Sequence, residues 1–378
     1  MTPNPAANAA VQHVLDDLVA SGKEVGVQVA AYRHGELVVD AWAGIADPKT
    51  GRAVGGDTLF NAFSVTKAVA ATALHVQAER RLVEYDTPVA QYWPEFGANG
   101  KAAVTVRDAL SHRTGAPQMP EGSTPDSICD WDATCAGIAA LEPIFPPHQP
   151  AYQCVSYGWV VGEIVRRTDP QRRSFRDFVI EEICQPFGIT DLWIGLPEAQ
   201  DHRVAKLVDT LNMQPPPAGS ALAKSMPFDI RLGPDVFELP QVRRAPIAGV
   251  GGIFTARAMA RFFAILANGG DLDGTRLLSR ESIDALTPFR AGGALPDPVF
   301  FGRPMPISEG GYWKYDGENP LTMAFASPTA IGCPGAGGSL GWADPATGLA
   351  VGYCHNRMSG EDGASAVSAA IRQTLGIA

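Results

Sequence analysis

Long apolar runs are missing from this chain. Nowhere do the roughly 18 consecutive apolar residues occur that a helix needs to cross a bilayer, so no membrane partner is expected. Clustered positive charge is missing too. Against 30 Lys and Arg stand 40 Asp and Glu, a net charge of −10, and no segment gathers the basic residues. Nucleic-acid binding needs a basic stripe that displaces counterions, and anionic membrane surfaces select the same feature, so neither is expected. Cysteine is sparse: Cys129, Cys135, Cys154, Cys184, Cys333 and Cys354 form no C-x-x-C, and no His cluster stands near them at zinc-ligand spacing. Free thiols in a reducing compartment follow, and neither metal nor organic cofactor is implied. The opening MTPNPAANAAVQHVLDDLV lacks a basic region followed by an apolar stretch. No secretory signal is read there, and the cytoplasm is the expected compartment. A small, neutral or weakly charged substrate suits the acidic balance.

What is present is enough for large buried cores: 378 residues, 46% of them hydrophobic. Residues 10–21 read as an amphipathic helix. Two β-rich runs follow, joined by a hairpin signal at Arg33-His34-Gly35-Glu36. SVTKAVAATALHVQAERRLV has the alanine content and period of a largely buried helix. Residues 116–150 read as a proline-rich loop, 155–168 and 174–184 as helices, and 197–245 as irregular. The two loop-like stretches are expected to line a pocket. Near the end, ARAMARFFAILANGG reads as a capped helix, 329–342 and 347–355 as two strands, and SAVSAAIRQTL as a closing helix. Strands at both chain ends with helices between suggest one sheet built from both termini. Residues 1–59 and 246–378 would form an α/β domain, 60–245 a mainly helical insertion, and the cleft between them the ligand site.

Three places can carry chemistry. In Ser64-Val65-Thr66-Lys67, residues three apart share a helix face, so the amine can reach the hydroxyl. An alcohol is a poor nucleophile until a neighbour takes its proton. Lysine can do so only as the free amine, which requires its pKa to fall from about 10.4 to near 7, a cost of about 4 kcal/mol. Tyr152 precedes a helix after the proline-rich loop and can project its hydroxyl into a cleft. An ordinary packing role is open to it as well. Tyr157, inside that helix, reads as structural. Third, Gly332-Cys333-Pro334-Gly335-Ala336-Gly337-Gly338-Ser339-Leu340-Gly341 places many glycines in a β-like stretch. That suits either close approach of a ligand to backbone N–H groups or a tight bend in a packed sheet.

In this order the three elements resemble the serine β-lactamase and penicillin-binding superfamily. The resemblance is strongest to class C β-lactamase-like esterases, the family VIII carboxylesterases, through LFNAFSVTK, LSHRTG, YGWVVGEIVRR and PGAGGSLGWADP. It implies an α+β, β-lactamase/transpeptidase-like fold, with an antiparallel sheet flanked by helices and an inserted helical domain. It also implies Ser64 as the acylated nucleophile, and Lys67 and Tyr152 as its activating groups. The backbone N–H groups of Ser64 and Ala336 would form the oxyanion hole, and Cys154, Cys333, Gly335 and Gly337 would contact substrate.

Two positions depart from the lactamase pattern. Cys154 stands where the second motif has Asn, and Cys333 where the third has Lys. A thiol supplies neither a strong amide hydrogen bond nor a fixed charge. Hydrolysis of small esters is therefore expected ahead of β-lactamase, D-amino-acid peptidase or acyltransferase activity, with a catalytically silent binding module as the non-enzyme reading. Gly337-Gly338-Ser339-Leu340-Gly341 imitates a nucleophile elbow. That elbow needs a following helix and more widely spaced acid and His partners than Asp344 and His355, so Ser339 is not expected to be the nucleophile. His112 and His355 are expected to be structural, because a site built on Lys and Tyr needs no histidine. The oligomeric state has no signature in the sequence.

Overall fold

The computed structural model describes residues 2–212, 214–293, 295–360 and 362–377. Gly26–Arg33 (β1) and Glu36–Asp47 (β2) form the hairpin read from the sequence, turning at His34 and Gly35, both with positive φ. Arg52–Ala53 (β3) pairs on the outside of β2. Three further strands, Phe60–Phe63 (β4), Leu192–Ile194 (β5) and Gly252–Phe254 (β6), make a small separate sheet in the order β4-β6-β5. The C-terminal part supplies Trp313–Lys314 (β7), Ile331–Pro334 (β8), Leu340–Asp344 (β9) and Leu349–His355 (β10). The main sheet is antiparallel throughout, in the order β7-β8-β9-β10-β1-β2-β3. It draws on both ends of the chain, which is the α+β architecture expected.

Helices cover both faces. Pro5–Ala20 (α1) is capped by Asn4, whose side chain accepts from the Ala6 and Ala7 N–H groups, with Pro5 in the first turn. The helix thus begins five residues before the apolar periodicity that revealed it. Thr66–Glu79 (α2) is buried from Thr66 to Gln77, a core helix whose alanines and valines pack on every side and whose polar Lys67, Thr72, His75 and Gln77 are buried with them. Tyr157–Thr168 (α3) packs on it. Ala256–Ala267 (α4), capped by Thr255, lies against β1, β9 and β10. It comes close because Gly341 and Gly352 face each other in register: a Cβ on Gly341 would stand 2.1 Å from the Phe263 ring, and one on Gly352 2.5 Å from the Ala256 carbonyl. The next residue, Tyr353, points to the opposite face. There it neighbours Gly363 of the closing helix Gly363–Leu375 (α5).

Two expectations are corrected. Residues 329–342 are two antiparallel strands, β8 and β9, because Gly337 and Gly338 take φ of 84° and 121° and reverse the chain between them. The stretch 116–150 also contains a helix, Trp131–Ala139. Asp130 caps it, accepting the Ala133 N–H at 3.0 Å, and the prolines stand outside it. Among the described residues no helix is long and apolar enough to cross a membrane.

Candidate active site

Strand β4 ends at Phe63 with φ of 45°, an uncommon conformation for a large side chain. The chain then turns through Ser64 into α2. Thr66 locks this turn: its hydroxyl donates to the Phe63 carbonyl and accepts the Gly252 N–H at 2.9 Å. Ser64, 8% exposed, opens onto a cavity, while Lys67 one turn along is 1% exposed. The Lys67 Nζ donates to the Cys154 carbonyl at 2.7 Å, to the Gly249 carbonyl at 3.1 Å, and lies 3.1 Å from the Ser64 Oγ. Two of its three directions are taken by carbonyls, so the third faces the serine. That direction holds an N–H when the amine is charged and the lone pair when it is neutral. Burial brings the amine from its usual 10.5 down to about 8, although the Cys333 and Cys154 thiols oppose the shift.

Tyr152 sits on a turn held from several sides. Its N–H donates to the Asp297 carboxylate at 3.0 and 3.3 Å, and its carbonyl accepts from the Ser225 hydroxyl at 3.0 Å. The same hydroxyl accepts the Cys154 N–H at 2.9 Å. Asp297 is paired with Arg290 at 3.9 Å, both fully buried. The Tyr152 ring stacks on His112 at 4.2 Å, and His112 on Tyr157 at 4.4 Å. The His112 Nδ1 accepts the Gln153 N–H, and burial holds this imidazole neutral, well below its usual range. Tyr152 lines the same cavity as Ser64, and its ring centroid stands 5.6 Å from the Lys67 Nζ. Its hydroxyl makes no hydrogen bond to either residue. Burial drives the phenol well above 10, so it remains protonated.

The β8–β9 turn closes the site from the other side. Gly335 lies on the end of β4, where a Cβ would stand 2.4 Å from the Ala62 carbonyl. Ala336 follows, lining the cavity with Gly335, Gly337 and Gly338. Among the described residues neither the Ser64 nor the Ala336 N–H has a protein acceptor. Cys154 lines the cavity and lends its carbonyl to Lys67. Cys333, expected to face substrate, lies beneath the nucleophile turn instead, with its thiol donating to the Ser64 carbonyl at 2.8 Å. Strand alternation turns its side chain inward and leaves Pro334 and Gly335 at the cavity. Ser339 is buried, and its Oγ accepts the His355 backbone N–H at 3.4 Å while the His355 ring pairs with Glu24.

The cavity holds about 420 Å³. Leu222, Met226 and Leu232 reach it from 197–245, as expected. None of its described lining comes from 116–150, which packs elsewhere; Phe300, Trp313 and Leu321 take that part of the wall. Among the described residues that line it, Asp362 is the one acid and there is no Lys or Arg. Gly249, Ser225 and Asp297 escaped the sequence reading. The glycine run around Gly249 was the available signal: a Cβ there would stand 2.9 Å from the Val155 carbonyl and the Gly158 nitrogen, so glycine brings its own carbonyl to Lys67.

The fold thus brings together a buried serine–lysine pair at a helix start and an antiparallel sheet that closes on it with a glycine turn. The chain matches the Beta-lactamase family over residues 11–375 and belongs to it. It is a serine hydrolase of the β-lactamase fold. It is 34% identical over 348 residues to the Esterase/beta-lactamase LipL of Mycobacterium tuberculosis, an alignment covering 88% of this chain and 77% of LipL. Among solved structures, a family VIII carboxylesterase superimposes with a TM-score of 0.89 at 32% identity, covering 99% of both chains. A penicillin-binding protein homolog from Caulobacter crescentus superimposes with a TM-score of 0.86 at 37% identity, covering 98% of this chain and 97% of its own.

Proposed function

We propose that the chain is a carboxylesterase acting through an acyl-enzyme on Ser64. The observation that carries this reading is the Lys67 Nζ, buried, held by two carbonyls and 3.1 Å from the Ser64 Oγ at the edge of an apolar cavity. The neutral amine takes the Ser64 proton as Oγ bonds to the ester carbonyl carbon. The carbonyl electron pair moves onto oxygen, where the Ser64 and Ala336 N–H groups, free of other acceptors, receive it. Collapse breaks the carbon–alkoxy bond. The leaving oxygen takes its proton from the Tyr152 hydroxyl, and the Lys67 ammonium replaces it. A phenol kept protonated by burial suits this donor role better than a share in the base role. Water then repeats the sequence, with Lys67 as base, releasing the acid and restoring Ser64.

The lining favours uncharged esters over β-lactams. A β-lactam antibiotic brings a carboxylate, which the cavity would desolvate beside Asp362 with no Lys or Arg to meet it. The test compares p-nitrophenyl acetate and butyrate with nitrocefin, on the native chain and on Ser64→Ala. Ester turnover faster than nitrocefin turnover, and lost in the variant, is the expected result. Nitrocefin hydrolysed as fast as the best ester, or ester hydrolysis surviving in Ser64→Ala, overturns the proposal.

A further inference from the structure

The substrate cavity has a neighbour. A second recess of about 340 Å³ is lined by Pro215, Pro216, Pro217, Phe228 and Phe301, with Gln214 and Arg231 at its polar side. Leu222 and Met226 line both spaces. They are four residues apart, Leu222 in the short helix Ala221–Ser225 and Met226 directly after it, where the Met226 N–H donates to the Leu222 carbonyl at 2.8 Å. Both are only partly buried, as side chains with open space on two sides must be.

The backbone beneath them is anchored at several points. Ser220 caps the helix by accepting the Ala223 N–H at 3.2 Å, the Lys224 carbonyl accepts the Met119 N–H at 2.9 Å, and the Ser225 hydroxyl donates to the Tyr152 carbonyl and accepts the Cys154 N–H. The wall is therefore fixed in its backbone and thin in its side chains: one leucine and one methionine, the latter unbranched and easily rearranged. Phe300 and Phe301 divide in the same way, the first facing the substrate cavity and the second the recess.

We infer that Leu222 and Met226 are a partition that sets the longest acyl chain the enzyme accepts, and that removing them joins the recess to the cavity. The inference rests on the ester reading above and adds the specificity determinant. A chain that passes the partition buries further methylenes, each contributing about 0.8 kcal/mol, or about fourfold in kcat/KM.

The test measures the ratio of kcat/KM for p-nitrophenyl dodecanoate to that for p-nitrophenyl acetate. In Leu222→Ala and Met226→Ala the ratio is expected to rise about tenfold or more, the gain from two or more methylenes. Leu222→Val, a milder cut that spares the fold, should raise it less, and Met226→Trp should lower it. In parallel, binding of p-nitrophenyl dodecanoate to Ser64→Ala is followed by tryptophan fluorescence, with and without the wall substitutions. Here the Kd should tighten by the same factor. An unchanged ratio and unchanged Kd in folded wall variants overturn the partition. A Kd that tightens in a chain with no ester turnover overturns the ester reading alone.

Discussion

The ionisation of Lys67 sets a pH dependence that can be worked out in advance. Burial lowers its pKa from 10.5 to about 8. At pH 7 about one molecule in ten then carries the neutral amine facing Ser64. If that amine is the base, kcat/KM for an uncharged ester climbs about tenfold per pH unit below 8 and levels above it. The same shift enters folding. Between pH 8 and 10.5 the unfolded chain holds a proton on Lys67 that the folded chain has released, so the contribution of Lys67 to stability rises with pH through that window. This contribution grows by about 3 kcal/mol across the window and is lost again as the pH falls from 10.5 to 8. Buried His75, held down at about 4, and His112, well below its usual range, contribute no transition near 8. The thiols of Cys135, Cys154, Cys184, Cys333 and Cys354, all pushed up by burial, lower stability as the pH rises, so the Lys67 part is read as a difference between the native chain and Lys67→Met. The assay is a pH series from 5.5 to 9.5 with p-nitrophenyl butyrate, corrected for alkaline background, beside urea unfolding at pH 8 and pH 10. Lys67→Met should abolish turnover, and the stability of the native chain relative to this variant should rise by about 2 kcal/mol from pH 8 to pH 10. A rate that is level down to pH 6, or a limb unchanged in Lys67→Met, refutes the assignment.

Three further outcomes follow from the same geometry. Tyr152→Phe should lower kcat by about 10²-fold or more through loss of the proton donor, while the limb near pH 8 stays in place; a limb that moved with this substitution would assign the base role to the phenol. Gly335→Ala sets a methyl against the Ala62 carbonyl, and the Ala336 N–H must shift to relieve it. Stability should fall by about 1–3 kcal/mol and kcat by about 10²-fold, as urea midpoints and steady-state rates would show. Ser339→Ala removes a buried hydroxyl with one long hydrogen bond outside the cavity, so it should cost about 1 kcal/mol or less and leave ester turnover intact.

What the sequence disclosed followed the range of the interactions involved. Ser64 and Lys67 lie one helical turn apart, and local geometry brings them together wherever that helix packs. The β1–β2 hairpin and α4 were equally local, written in a turn dipeptide and in a capped apolar period. Tyr152 lies 88 residues from Ser64, and no spacing rule connects them; its place at a helix entrance left a packing role open, and the resemblance tied it to the serine. The glycines of 335–341 showed that backbone must come close to something, but a bend and an oxyanion site draw on the same residues, and the chain reversal splitting β8 from β9 went unread. Lys67 is held by the carbonyls of Cys154 and Gly249, groups every residue carries, so side-chain identity could not reveal them. The Ser225 clamp and the aromatic wall of Phe300 and Trp313 arise from packing between distant segments and acquire meaning only when folded.

The central claim is that Ser64 is made nucleophilic by the amine beside it. Intact-mass and peptide mass spectrometry after treatment with a fluorophosphonate test it directly. One adduct per chain, on the peptide containing Ser64, absent from Ser64→Ala and formed more slowly as the pH drops below 8, is the predicted result. An adduct on Ser339, or none on a folded chain that still hydrolyses esters, would contradict it.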